Sequence, residues 1–201
     1  SSYNCYMNLS KSIILIGIKH SGKSTQGKEL AKHFGTSFFD TDDVIKELTL
    51  KSPREIYNNE GKESFLGAEK LACKFLNSKL SQNPIIVATG GGICENQDAL
   101  RFLNLNSIFV YLSIDESIAI ERILQEAQTD GEIITNQDSL PSYIAKKNPH
   151  TTSDVRNYFH NFYEERSKKY SMLADITIEQ GNNSINQITN NILSSIEKFN
   201  F

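Results

Sequence analysis

The sequence predicts a three-layer α/β/α fold, in which a five-stranded parallel sheet lies between two layers of helices. Short runs of consecutive apolar residues alternate along the chain with amphipathic helical stretches, a pattern typical of a parallel sheet buried on both faces. Two of these runs end in glycine-rich turns, at 17–22 and 90–92. The length of 201 residues suits a single domain built around such a sheet.

The predicted elements follow one another without an internal repeat. The apolar runs predict strands at 12–16, 37–40, 84–89, 108–112 and 175–178. Helical periodicity predicts helices at 25–34, 42–48, 53–58, 64–80, 116–127, 155–170 and 185–199. The helix at 64–80 is expected to bury one side, formed by Phe65, Ala68, Leu71, Ala72, Phe75 and Leu76.

The region between residues 128 and 152 differs from the rest of the chain. It has weak periodicity, many polar side chains and two prolines, Pro141 and Pro149, and we expect a long mobile segment there. We expect residues 12–201 to form one domain, preceded at 1–11 by a short arm or a cloning remnant.

The first glycine-rich turn carries a complete G-x-x-x-x-G-K-S motif at 17–24, directly between a predicted strand and a predicted helix. Gly17 and Gly22 allow the backbone to turn its N–H groups toward phosphate oxygens, and the helix N-terminus adds a partial positive charge. Lys23 would reach the β- and γ-phosphates, and the Ser24 hydroxyl would bind Mg²⁺. A chance match in an ordinary βα turn is the alternative, but the flanking elements favour a nucleoside triphosphate site. The predicted nucleotide contacts are Gly17, Lys19, His20, Ser21, Gly22, Lys23, Ser24 and Thr25.

Two carboxylates follow the second predicted strand. Asp40 and Asp42 are two residues apart, so in an extended chain both side chains project to the same side, toward the phosphate loop. Phosphoryl transfer needs one carboxylate near Mg²⁺ and another that orients or deprotonates the attacking hydroxyl. Capping of the next helix is the structural alternative, which we favour for Asp43 alone.

The second glycine-rich turn, Gly90–Gly92, follows a strand without an acidic residue, which supports a metal role for Asp40 instead. Three consecutive glycines cost conformational entropy, and one is enough for a tight turn. The run therefore indicates that a substrate or a phosphate approaches the backbone closely at this turn.

Composition excludes several classes of function. The net charge is −3 with both signs interspersed, so no basic stripe suggests a nucleic-acid partner, and no apolar run approaches the length of a membrane span. The three cysteines, Cys5, Cys73 and Cys94, lack metal-ligand spacing and favour a reducing cytoplasm without disulfides. We expect a cytoplasmic monomer whose partners are small molecules.

Together these motifs resemble the shikimate kinase family, and the resemblance extends from about residue 12 to residue 178. It rests on residues 17–24, 39–42, 56–57, 61–69, 88–92, 110–112 and 165–175. The paired Asp-Thr-Asp and Thr-Gly-Gly-Gly segments are its most specific parts. The resemblance implies a P-loop kinase fold like that of nucleoside monophosphate kinases, with Mg²⁺, a substrate-binding region at about 42–80 and a mobile lid at about 128–152. It also implies phosphate transfer from ATP to a shikimate hydroxyl, a step in aromatic amino acid biosynthesis.

The resemblance also implies roles for individual residues. Asp42 would bind the ring hydroxyls of shikimate and act as the base, and Asp40 would lie near Mg²⁺. Arg166 would pair with the shikimate carboxylate, and Arg122 would lie beside the adenine. Gly90, Gly91 and Gly92 would present their backbone to the substrate. Lys23 and Asp42 are thus the predicted catalytic residues.

The sequence departs from the family pattern in three places. Leu66 stands where the family has a second carboxylate-binding arginine, and a leucine cannot bind an anion. The family's R-P-L-L run in the lid is missing, and Lys146 and Lys147 are the nearest cations in that segment. Lys19 and His20 are unusual in the loop, and Lys19 would lie toward the substrate, where it replaces part of the missing charge.

These departures keep two alternatives open. The first alternative is a kinase of another small polyol or sugar acid, which applies if Leu66 makes the acceptor pocket unsuited to shikimate. The second is a nucleotide-binding pseudo-kinase that keeps the fold as a regulatory module. The intact Lys23, Ser24, Asp40 and Asp42 disfavour this second alternative.

Overall fold

The computed structural model describes residues 8–199, and most of the expected N-terminal arm lies outside this range. The strands are β1 (Ser12–Ile16), β2 (Phe38–Asp40), β3 (Ile86–Ala88), β4 (Ser107–Ser113), β5 (Thr129–Asp130), β6 (Ile133–Ile134) and β7 (Ile176–Glu179). Five of them form one sheet in the order β2-β3-β1-β4-β7, and every neighbouring pair is parallel. The predicted five-stranded parallel sheet is confirmed.

Helices connect the strands and cover the sheet. They are α1 (Lys23–Phe34), α2 (Thr41–Thr49), α3 (Pro53–Glu60), α4 (Lys62–Leu80), α5 (Gln97–Leu103), α6 (Glu116–Ala127), α7 (Ser142–Ala145), α8 (Thr152–Leu173) and α9 (Ile185–Lys198). The short helix α5 was not predicted, because seven residues give too few turns for a clear period. Leu71 on α4 is 49% exposed, so its predicted burial was wrong.

The central strand β1 shows why the fold has three layers. Its side chains alternate between the two faces of the sheet, as those of any strand do. Ile14 and Ile16 pack into one buried cluster, with residues of α2, α4 and α6. Ile13 and Leu15 pack into the other, with residues of α1 and α9. All four are fully buried, which explains the uninterrupted apolar run in the sequence.

The strand order also determines where a ligand can bind. Strands β1 and β3 are neighbours, but the chain leaves β1 toward β2 on one side and leaves β3 toward β4 on the other, so the carboxyl ends of these two strands flank a crevice. Asp40 at the end of β2 and Leu15 in β1 are both opposite Ala88 of β3. The phosphate loop, the aspartates and the glycine turn therefore come together at one edge.

The segment at 128–152 contains more regular structure than the sequence predicted. Strands β5 and β6 form an antiparallel hairpin, a 3₁₀ turn spans Gln137–Ser139, and α7 follows. Leu140 and Ile144 are fully buried. The hydrophobic periodicity of the sequence is weak here because these short elements are held to the core by only a few apolar residues. The mobility of the segment stays a prediction.

Within the described residues, no helix combines the length and the apolar character that crossing a bilayer requires. Cys73 and Cys94 are both buried and form no disulfide, and Cys5 lies outside the described residues.

Candidate active site

The phosphate loop at 17–24 turns sharply between β1 and α1. Gly17 has φ +150°, and a Cβ there would lie 2.9 Å from both the Leu112 carbonyl and the Ser21 hydroxyl. Gly22 has φ +86° directly before α1, a conformation that L side chains rarely adopt. The two glycines predicted to shape the loop are therefore required by its geometry. The Ser21 carbonyl accepts a hydrogen bond from the buried Gln180 amide at 2.9 Å, a contact that sequence reasoning missed.

The predicted catalytic lysine lies inside this loop. The Lys23 side chain is buried, and its ammonium donates to the carbonyls of Gly17 at 2.8 Å and Ile18 at 2.7 Å. Burial lowers the pKa of Lys23 to about 8, although the negative charges of Asp42 and Asp40 oppose that shift. The Lys23 ammonium is therefore largely removed from water. A desolvated positive charge of this kind is stabilised by an anionic ligand.

The predicted metal ligands meet at the start of α1. The Ser24 hydroxyl donates to Asp40 Oδ2 at 2.5 Å. The other carboxylate oxygen of Asp40 accepts from the backbone N–H of Asp42 at 2.9 Å and caps α2. Asp40 is therefore the cap of α2, which was the structural alternative, and it also contacts Ser24, while its metal role stays a prediction. Asp43, for which we favoured capping, is exposed in the first turn and is not the cap.

Asp42 lies in the first turn of α2, and its side chain is exposed. It remains in contact with solvent, but protein atoms surround it on most sides. This burial and the charge of Asp40 raise the pKa of Asp42 to about 6, against the opposing effect of Lys23 and Lys19. Asp42 Oδ1 is 3.2 Å from the point that a Cβ at Gly90 would occupy. The structure thus brings the predicted base to the glycine turn.

The glycine turn at 90–92 touches the phosphate loop. A Cβ on Gly91 would lie only 2.5 Å from the backbone nitrogen of Lys19, so the protein's own backbone makes the close approach here, and the predicted approach of a substrate or a phosphate stays a prediction. The Gly90 N–H donates to the buried Thr41 hydroxyl at 2.9 Å. The Gly91 carbonyl accepts from the Tyr170 hydroxyl at 2.7 Å. These contacts fix the turn between β1, α2 and α8.

Arg166 approaches the same turn from α8. Its guanidinium donates to the Gly91 carbonyl at 3.1 Å, and a Cβ on Gly92 would lie 3.3 Å from its Nη2. The guanidinium carbon lies 4.4 Å from the ring centroid of Tyr143 and 5.5 Å from that of Phe162. Aromatic faces hold an arginine in place without neutralising it. Arg166 is therefore oriented toward the glycine turn with its charge available.

The predicted adenine-side arginine borders an open cavity of about 480 Å³ beside the phosphate loop. Arg122 Nη1 donates to the His20 carbonyl at 2.5 Å, which connects α6 to the loop. The cavity is lined by His20, Gly22, Thr25, Arg122, Gln125 and Glu126. The sequence did not predict that Gln125 and Glu126 line this cavity. Both belong to the amphipathic helix α6, and its sequence pattern does not show which turn lies beside a cavity.

Comparison with known proteins agrees with this geometry. The family model described as shikimate kinase matches residues 19–197. The chain belongs to the shikimate kinase family. Among curated proteins, shikimate kinase 1 of Erwinia tasmaniensis is 29% identical over 190 residues, which cover 94% of this chain and 97% of that protein. The predicted family and its ATP-dependent kinase class are confirmed.

Solved structures of the family share the fold. Shikimate kinase from Aquifex aeolicus superimposes with a TM-score of 0.69 at 27% identity, over 93% of this chain and 96% of that chain. Shikimate kinase from Acinetobacter baumannii in complex with shikimate gives a TM-score of 0.78 at 22% identity, over 98% and 97%. At that identity the likeness concerns the fold alone. The predicted three-layer P-loop kinase fold is confirmed.

A buried acid of α4 has an incomplete set of hydrogen-bond partners. Glu69 on α4 lies one helical turn after Leu66 and is fully buried. Its Oε1 accepts from the Asn96 amide at 2.9 Å, whereas its Oε2 has no hydrogen-bond partner. Burial raises the pKa of Glu69 to about 7. A buried carboxyl of this kind is expected to hold a proton near neutral pH.

The structure shows where Lys146 and Lys147 lie in the segment at 128–152, and their role stays a prediction. Lys146 is exposed, and the Lys147 ammonium lies over the rings of Tyr158 at 5.0 Å and Phe162 at 5.8 Å, on α8. A cation outside every recognised motif contacts this segment. Arg54 on α3 donates from Nη2 to the Leu140 carbonyl at 2.5 Å. The sequence around Arg54 did not predict this contact. Arg54 is the second residue of a helix that begins with proline, a position where an arginine is ordinary.

Proposed function

We propose that this protein transfers the γ-phosphate of ATP to a hydroxyl of shikimate. The observation that carries the proposal is the convergence of three groups on the glycine turn. The phosphate loop contacts it at Lys19, Asp42 reaches it from α2, and Arg166 reaches it from α8. A phosphate loop, a carboxylate and a guanidinium thus surround one space, an arrangement that suits phosphate transfer to a hydroxy acid.

ATP would bind along the phosphate loop. The N–H groups between Gly17 and Thr25 and the N-terminus of α1 suit the phosphates, and Lys23 would exchange its carbonyl partners for phosphate oxygens. The adenosine would occupy the cavity between His20 and Arg122.

Mg²⁺ fits beside this loop. The Ser24 hydroxyl and the Asp40 carboxylate are hard oxygen donors in contact with each other, and Mg²⁺ in such sites takes few protein ligands besides phosphate and water. Within residues 8–199, no group of three His, Cys, Asp or Glu side chains offers another metal site. When bound, the ion would neutralise charge that develops on the phosphates.

Asp42 would act as the general base. Its pKa of about 6 leaves it ionised at neutral pH yet basic enough to accept a proton. The proton of the attacking hydroxyl moves to the Asp42 carboxylate, the oxygen forms a bond to the γ-phosphorus, and ADP leaves as the old phosphorus–oxygen bond breaks.

The acceptor would lie against Gly90–Gly92, with its carboxylate on Arg166 and with Lys19 nearby. Lys19 is half-buried, and burial lowers its pKa. A kinase of another sugar acid or polyol remains the second candidate, because Leu66 removes an anion-binding group. A single domain at 12–201, substrate-binding and lid regions at 42–80 and 128–152, a monomeric state and a cytoplasmic location stay predictions.

The decisive experiment is a coupled ADP-release assay with shikimate, with a panel of sugar acids and polyols as alternative acceptors. We expect Mg²⁺-dependent release with shikimate, and loss of release in Lys23→Ala. Lys28→Ala, which changes an exposed lysine of the same helix, serves as the matched control and should keep full activity. Release with a different acceptor would redirect the assignment, and release with none of them would favour the pseudo-kinase.

A further inference from the structure

We propose that Arg54 is the second cation that binds the acceptor carboxylate, in place of the family arginine whose position Leu66 occupies. This inference rests on the proposed function. Arg54 would act opposite Arg166, with Lys19 beside it. Its contact with Leu140 would also connect acceptor binding to the segment at 128–152.

The first support is the set of hydrogen bonds that Arg54 makes. It is half-buried on α3, and within residues 8–199 the only hydrogen bond of its side chain is the one from Nη2 to the Leu140 carbonyl. One contact to a carbonyl orients the planar guanidinium without neutralising it. The remaining N–H groups keep the fork geometry that binds a carboxylate through two oxygens.

The second support is the position of Arg54 in the crevice. Leu140 and Tyr143 are three residues apart, so they lie within about 11 Å of each other. Arg54 on α3 donates a hydrogen bond to Leu140, and Arg166 on α8 stacks on Tyr143. Both guanidinium groups therefore contact the same short segment. After burial, the charge of Arg54 is the largest cause that lowers the pKa of Lys19, so these two cations are neighbours as well.

The third support is the missing counter-charge. In the described part of the chain, no Asp or Glu oxygen lies within 4.0 Å of the charged nitrogens of Lys19, Arg54 or Arg166. The charges of Glu126 and Asp42 offset part of the repulsion at Lys19, but neither forms an ion pair with it, so an added anion would stabilise the three cations. By contrast, the exposed Arg101 and Arg156 each pair with a carboxylate. A carboxylate-bearing acceptor would supply the missing negative charge.

A purely structural role for Arg54, as a brace for Leu140, is the competing explanation. The experiment that separates the two compares shikimate with its analogue in which the carboxylate is reduced to a hydroxymethyl group. Arg54→Met should raise the KM for shikimate about tenfold or more, because a charge-assisted hydrogen bond is lost, while the KM for ATP stays unchanged. The same substitution should leave the KM for the alcohol unchanged, because that compound has no carboxylate to bind.

Two further variants make the test robust. Arg54→Lys keeps the charge and loses the planar fork, so it should raise the KM for shikimate by a smaller factor than Arg54→Met. Arg101→Met removes an exposed arginine that pairs with Asp98, and it should leave every KM unchanged. Equal effects of Arg54→Met on shikimate and on the alcohol would overturn the inference in favour of a brace. So would an unchanged KM for shikimate in both Arg54 variants. Failure of the unmodified protein to use shikimate would instead refute the proposed function.

Discussion

Asp40 and Asp42 illustrate how two identical side chains, two residues apart, acquire different chemistry. Asp40 uses both carboxylate oxygens in hydrogen bonds, one from the Ser24 hydroxyl and one from the α2 backbone. Asp42 lies against the glycine turn, and its pKa is raised to about 6 by burial and by Asp40. At the residue scale, one carboxylate is therefore fixed beside Ser24, at the proposed Mg²⁺ site, and the other can exchange a proton near pH 6.

This difference predicts distinct effects of two conservative substitutions. Asp42→Asn should lower kcat by about a hundredfold or more without changing the KM for ATP, because it removes the base and leaves the nucleotide site intact. In the unmodified protein, kcat should rise as the pH increases through about 6, where Asp42 becomes ionised. Asp40→Asn should instead raise the Mg²⁺ concentration needed for half-maximal activity.

Steady-state kinetics with a Mg²⁺ titration would check both effects. Asp43→Asn, which changes the exposed neighbour, should behave like the unmodified protein. Identical Mg²⁺ curves for the Asp40 and Asp42 variants would contradict the division of roles.

At the scale of elements, the site depends on the contact between two loops. The phosphate loop follows β1, and the glycine turn follows β3, the neighbouring strand. They meet where Gly91 faces the Lys19 backbone, with no room for a side chain. Because the atoms on both sides belong to the backbone, neither loop can relieve a clash by changing a rotamer.

Gly91→Ala should therefore disrupt the site. Its Cβ would lie 2.5 Å from Lys19 N and 3.1 Å from Lys19 Cα, so one loop must move. We expect a loss of stability of about 1–3 kcal/mol, typical of overpacking, together with a loss of most activity. Urea denaturation and ADP-release assays measure the two effects.

A second glycine provides the control. A Cβ on Gly67 in α4 has nothing within 4 Å, and alanine stabilises a helix by about 0.5–1 kcal/mol relative to glycine. Gly67→Ala should thus be neutral or stabilising and fully active. Equal stability and activity of the Gly91 and Gly67 variants would show that the close approach has no consequence.

At the scale of the whole molecule, the buried Glu69 makes stability depend on pH. Its pKa is raised from 4.5 to about 7 in the folded state, so the folded protein binds a proton more tightly than the unfolded chain does. As far as this group is concerned, the free energy of unfolding is therefore highest below about pH 4.5, decreases as the pH rises from there to about 7, and levels off above that pH. Asp42, whose pKa is also raised, contributes in the same direction.

Glu69→Gln should remove most of this dependence. The amide keeps an oxygen for the Asn96 hydrogen bond and cannot ionise, so at pH 8 the variant should be more stable than the unmodified protein, by about 3 kcal/mol at most. Urea denaturation at pH 5 and pH 8 measures the change. Glu63→Gln, at an exposed position of the same helix, should retain the original pH profile. If the stability of Glu69→Gln depended on pH as steeply as that of the unmodified protein, the ionisation of Glu69 would not lower the free energy of unfolding.

Local chemistry explains why so much of this protein could be predicted from its sequence. Uninterrupted apolar runs specify strands that are buried on both faces, and all five sheet strands were predicted within a few residues. The spacing of glycines, Lys23 and Ser24 specifies a phosphate loop because the backbone conformation and the side chains that bind phosphate lie within eight residues. The family itself was predicted from such motifs, each of which is contiguous.

Only the tertiary structure decided which distant residues meet at the site. Arg54 bonds the Leu140 carbonyl across 86 residues, and Arg166 bonds the Gly91 carbonyl across 75. Arg54 belongs to no periodic pattern or motif that marks it as a site residue, and the segment 61–69 was recognised without a role for its Glu69. Their positions follow from how α3, α4 and α8 pack around the crevice, and that packing is the sum of many apolar contacts of low specificity. A local pattern encodes the strand, the loop and the helix, whereas the cations around the acceptor site are assembled by the fold.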